Sequence, residues 1–81
     1  MRVEFDPDVR AWYLTLSDLS VTKTVHISDE VAVDIDSEGA VVGVEFLLAP
    51  AELGPEVSRA LFERFPAVQG ALSHLQALAV A

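Results

Sequence analysis

Through residues 31–48 apolar and polar positions alternate with a period of two, interrupted once by Ser37-Glu38-Gly39-Ala40. Val31, Val33 and Ile35 share one phase, and Ala32, Asp34 and Asp36 the other. Beyond the interruption Val42, Val44, Phe46 and Leu48 share a phase opposed to that of Gly43 and Glu45. Period two marks a strand with one buried face, so the stretch predicts a β-hairpin. Gly39 supplies the positive φ that a tight turn or its bulge requires. Pairing Val33 with Val44 and Ile35 with Val42 collects the apolar residues on one side. A slip of one residue would turn them all to water, so this register is strongly specified.

The same alternation continues towards the N-terminus. Val3 and Phe5 define a first strand, and Asp6-Pro7-Asp8-Val9 has the Asp-Pro opening of a type I turn. Residues 11–17 follow, with Trp12, Leu14 and Leu16 directed to the core and Tyr13 and Thr15 outward. Asp18-Leu19-Ser20 turns the chain into residues 21–27, where Val21, Val25 and Ile27 oppose Thr22, Thr24 and His26. Lys23 breaks the apolar phase of that strand, and two readings stay open: a lysine snorkelling from the sheet margin, or a bulge. Ser28-Asp29-Glu30 then leads into the hairpin. The pattern predicts a five-strand antiparallel meander over about residues 2–48, with one apolar and one polar face.

A one-faced sheet needs a cover, and the period changes to helical beyond residue 50. Pro50-Ala51-Glu52-Leu53 suits one short turn. Pro55 fits the first position of a helix and Glu56 complements its dipole. Val57, Ala60, Leu61 and Phe65 follow at helical spacing, and Pro66 ends that helix and begins another. The fold class is therefore α+β, with helices over about 55–65 and 66–80 packed on the apolar face of the sheet. The chain reads as a single domain, 1–81, made of a sheet core (1–53) and a helical extension (54–81). The last helix carries Val68, Ala71, Leu72, Leu75, Leu78 and Ala79 on a broad stripe and is apolar nearly all round. Such a helix should be buried on more than one side, which predicts a homo-oligomer, a dimer for preference, with Leu72, Leu75, Leu78 and Ala79 at its interface.

Size and charge sharpen this picture. An 81-residue chain without cysteine has neither disulfides nor thiolate metal sites to reinforce a small core, which leaves oligomerisation as the natural support. Its formal charge is −8, and the acids run through the strand region, with only Glu56 and Glu63 beyond Glu52. That field disfavours nucleic acid and anionic membranes and favours a basic protein partner. No segment is long and apolar enough to span a bilayer, and Met1-Arg2-Val3-Glu4-Phe5-Asp6 has no signal-peptide core, so a cytoplasmic location is expected.

Candidate chemistry is sparse. Asp34, Asp36 and Glu45 lie on the polar face of the hairpin, with Asp34 opposite Gly43 and Glu45 diagonal to it at about 7–8 Å. Oxygen ligands of this kind suit magnesium or calcium, yet a flat face offers no enclosure, and the plainer role of these acids is to keep the face wet. His26 falls opposite Ala32 in a row with Glu45. A His–carboxylate pair could move protons, but Ala32 lies between the two, and an exposed strand histidine is the simpler description. His74 is a surface or interface residue. The serines lie in no Gly-x-Ser-x-Gly elbow, and the glycines form no phosphate loop. No catalytic residue, metal or cofactor is expected.

Phe5-Asp6-Pro7-Asp8, Ala11-Trp12-Tyr13-Leu14-Thr15-Leu16-Ser17, Val33-Asp34-Ile35-Asp36-Ser37-Glu38-Gly39 and Val42-Gly43-Val44-Glu45-Phe46 together resemble domain of unknown function family 2283, a group of small prokaryotic proteins. The pattern is an aromatic-Asp opening, a strand with a central Tyr, Val-Asp-x-Asp, a Gly turn and a Gly-x-Glu strand. The likeness runs over roughly residues 3–53, about the size of the family's core. Trp12 departs from it, standing where a smaller aliphatic is usual, and the residues from Pro55 onward are an addition. The resemblance implies the fold; the family has no established activity. By analogy, members are candidates for the small acidic half of paired, toxin–antitoxin-like systems. The expectation is thus a non-enzymatic protein–protein interaction module, with two alternatives: a small-ligand or divalent-metal binder using Asp34, Asp36, Glu45 and His26, or a purely structural homo-oligomer.

Overall fold

The computed structural model describes the backbone of residues 1–80 and the side chains of residues 1–74. Five antiparallel strands form one sheet: β1 (Arg2–Asp6), β2 (Ala11–Thr15), β3 (Lys23–Ser28), β4 (Val31–Ile35) and β5 (Val41–Phe46). A short 3₁₀ turn over Pro50–Glu52 leads to α1 (Pro55–Arg64) and α2 (Pro66–Val80). The class is α+β. Pro55 and Pro66 each open a helix, where their missing N–H costs nothing. Pro66 also ends α1, whose last turn closes with the Phe65 N–H donating to the Leu61 carbonyl.

The strand order is β1-β2-β5-β4-β3, which corrects the simple meander. β2 pairs with β5 rather than β3. Residues 16–22 carry the chain along one end of the sheet, past β5 and β4, to its far edge. That passage is fixed by backbone bonds: Leu16 and Ser17 N–H both donate to the Val42 carbonyl, and Thr22 N–H donates to the Ile35 carbonyl. The connection is long enough to span two strands, so nothing local forced β3 beside β2. The crossing also places β2 against the strand whose apolar phase matches its own.

The hairpin of β4 and β5 forms as expected at Val33↔Val44 and Asp34↔Gly43, but Ile35 pairs with Val41, not Val42. The cause is the turn. Asp36 N–H donates to the Ala40 carbonyl, and Asp36 Oδ1 accepts from the Glu38 and Ala40 amides at 2.9 Å each. This three-residue loop, with Gly39 at φ 84°, sets a register one residue out of step with the rest of the ladder, and a bulge absorbs the difference. A second bulge lies between His26 and Ser28, so the loop joining β3 to β4 is two residues, not three. Lys23 itself is in regular register opposite Ile35 and exposed at the sheet margin, which excludes the bulge reading.

The core joins sheet and helices. Val33, Val44, Phe46, Leu61 and Val68 are fully buried, together with Leu14 and Val31, and Leu72 is buried at the edge of the same cluster. α1 packs against β3, α2 against β5, and the helices against each other. Cover is thus concentrated on the β5-β4-β3 half. Trp12, expected in the core, packs against it but stays half-buried: it stands on the less covered half, its ring tilted by 49° against that of Phe5 with centroids 4.8 Å apart. Leu72, expected at an oligomer interface, belongs to the chain's own core; Leu75, Leu78 and Ala79 lie outside the described side chains.

Candidate functional site

The polar face of the sheet is ordered in rows set by the ladder. Glu4, Tyr13, Glu45, Ala32 and His26 form one row across all five strands, and Arg2, Thr15, Gly43, Asp34 and Thr24 the next. Within this grid the register brings Tyr13 of β2 beside Gly43 of β5, and Asp34 of β4 on the far side of it. The phenol lies over Gly43 and donates to Asp34 Oδ2 at 2.6 Å, while Thr24 Oγ1 donates to Asp34 Oδ1, also at 2.6 Å. One carboxylate therefore ties β2, β4 and β3 together across the top of β5.

The glycine is what makes the bond possible. A Cβ at position 43 would collide with the hydroxyl end of Tyr13, 2.6 Å from Cε1 and closer still to Cζ and Oη. A strand glycine often marks such a close approach. Partial burial, the hydrogen bond to Asp34 and the negative charges of Asp34 and Glu45 push the Tyr13 phenol well above its ordinary pKa. It is held as a protonated donor, the opposite of what a tyrosine serving as a base would need.

The residues singled out from the sequence now have definite places. Asp34 has both oxygens occupied by Tyr13 and Thr24. Asp36 is the turn's acceptor. Glu45 is exposed, between Tyr13 and Ala32, and His26 is exposed with Ala32 between it and Glu45. The candidates thus do not converge, and among the described residues no three His, Asp or Glu stand close enough to hold one metal ion. The partnership of Tyr13 and Thr24 with Asp34 was missed, because a meander separates Tyr13 from Gly43. Gly43 itself, set between Val42 and Val44 in a strand, was the available signal.

Beside this cluster Glu4, Asp6, Ala11, Tyr13 and Glu45 line a shallow depression of roughly 480 Å³ at the turn joining β1 to β2. Three carboxylates rim it. Arg2, on the same strand as Glu4, has its guanidinium held by that carboxylate at 2.7 Å on the surface.

A small α+β fold, with an acidic outer face pinned by a Tyr–Asp–Thr cluster over a strand glycine, is the class of protein these features define. The chain belongs to the family described as protein of unknown function (DUF2283), whose model matches residues 2–49. The match takes in all five strands and the Tyr13, Thr24, Asp34 and Gly43 cluster, and ends before either α-helix. No curated protein and no solved structure matches the chain. Among the described residues no helix is long and apolar enough to cross a membrane.

Proposed function

We propose that this protein is a non-enzymatic interaction module that presents its acidic outer sheet face to a basic protein partner. The observation that carries the reading is the depression lined by Glu4, Asp6 and Glu45 together with Tyr13. A lysine or arginine side chain entering it would meet carboxylates and the face or edge of an aromatic ring, a favourable environment for a cation. The formal charge of −8 extends the attraction beyond contact and speeds encounter with a partner of opposite sign. The sharper form of the proposal is an antitoxin-like role in the cytoplasm, with a small basic RNA-acting protein as the partner.

Capture of the tagged chain from its native cells, with cross-linking and mass spectrometry, tests this. One stoichiometric basic partner is expected, bound less well at high salt and by an Asp6→Asn, Glu45→Gln variant, since screening and charge removal act on the same attraction. Only self-cross-links, or no basic partner at physiological salt, would overturn it.

A further inference from the structure

The sheet has two edges, and they are finished differently. On β3, Lys23 stands in the core-face phase opposite Ile35, the ladder is bulged between His26 and Ser28, and α1 packs against the strand. An inward-phase charge, a bulge and a covering helix are means by which sheets close an edge to further strands. β1 has no bulge and no proline. Its five residues run in unbroken register with β2, from Arg2↔Thr15 to Asp6↔Ala11, and all five are exposed. On the core-face side of this edge Met1, Val3 and Phe5 are 54%, 38% and 47% exposed. On the other side Arg2 and Glu4 form their surface ion pair.

We propose that β1 pairs antiparallel with β1 of a second copy of this chain, about a two-fold axis perpendicular to the sheet at Val3. Directly opposed residues in an antiparallel pair share a face, and a symmetric pair keeps apolar with apolar only when centred on a residue. A centre at Glu4 sets that carboxylate against itself. A centre at Phe5 sets Glu4 against Asp6 twice. A centre at Val3 places Arg2 of each copy opposite Glu4 of the other, Val3 against Val3, and Phe5 against Met1. The Arg2–Glu4 pair then becomes a closed ring of four alternating charges, and opposite-charge cross-strand pairs stabilise while like charges destabilise. This register alone of the three makes every cross-strand charge contact attractive.

The pairing joins two five-strand sheets into one of ten and brings their less covered halves together. It also sets both acidic depressions on the same outer face, on either side of the axis. A short strand edge buries less than the roughly 1,200–2,000 Å² of a standard interface, so the dimer should be reversible, with Kd in the micromolar range.

Sedimentation of the intact chain across a micromolar concentration series, beside Arg2→Glu, Glu4→Arg and an equimolar mixture of the two, is the test. The intact chain should dimerise. Each variant alone should weaken the dimer roughly tenfold or more, because two attractive cross-strand pairs become repulsive. The mixture should form a heterodimer, because each variant supplies the charges the other lacks; recovery on mixing also shows that neither variant has lost its fold. An intact chain that stays monomeric, a dimer indifferent to both variants, or failure to associate on mixing would overturn the proposal. So would a dimer that survives both variants and is abolished by Leu78→Glu, which would move the interface to α2.

Discussion

Under the helices Val33, Val44 and Phe46 are cut off from water entirely, whereas at the far side of the same sheet all five residues of β1 are exposed and Phe5 keeps 47% of its surface. Both regions obey the same apolar alternation. What separates them is the position of the helices, which pack on β3 and β5. Periodicity assigns a residue to a face; whether that face is covered depends on elements far along the chain. The Tyr13–Asp34 bond sits where the two regions meet, reaching from β2 over β5 to β4.

Substitutions matched across the boundary should break the symmetry of the pattern. Phe46→Ala empties a fully buried site and should cost about 3–5 kcal/mol in chemical denaturation, a large share of the stability expected of so small a domain.

Gly43→Ala comes next. The added methyl expels the Tyr13 ring and with it a hydrogen bond to a carboxylate, worth about 1.5–3 kcal/mol, while alanine regains about 0.5–1 kcal/mol over glycine in a strand. A net loss of about 1–2 kcal/mol is expected. In a Tyr13→Ala background the sign should reverse, since the obstacle is gone and only alanine's advantage remains. A loss of equal size in both backgrounds would show that the ring is not what Gly43 accommodates.

Tyr13→Phe removes the same bond but leaves the ring in place, and should cost about 1.5 kcal/mol, the low end of that range, because the pair is only part-buried. It should also alter the alkaline limb of stability. The phenol's pKa is raised in the folded chain, so its contribution is complete below the ordinary tyrosine value of about 10 and is lost as pH rises towards the higher folded value. Tyr13 is the sole tyrosine, so tyrosinate absorbance can follow it directly. Ionisation at the ordinary value in the folded chain would contradict the bond. Smallest of all, Phe5→Ala should cost about 1 kcal/mol or less when measured dilute, since half of the ring is already in water and its packing with Trp12 is at the surface.

What could be read from the sequence follows the range of the interaction. The β4–β5 pairing, Gly39 at positive φ and the two proline-opened helices depend on residues close in the chain, and all were legible. The shift from Val42 to Val41 opposite Ile35 was not, because it results from Asp36 capturing two amides in the turn. The β2–β5 pairing was not legible either: Trp12 and Phe46 are opposed across more than thirty residues of chain. At the candidate site the register already placed Asp34 opposite Gly43. Tyr13 and Thr24 become its partners only once that long-range pairing is known.

The strand order also carries a consequence for the time course of folding. β1 with β2 is one local hairpin, and β3, β4 and β5 are a second local unit. They join along the single ladder between β2 and β5. Contacts within each unit close short loops, while the joining ladder must close a long one, which is the slower kind of search. The phenol and the carboxylate it reaches belong to different units. Their bond is therefore a latch set after assembly. Its loss should register chiefly as faster opening of the finished molecule, with little change in how quickly the pieces find each other.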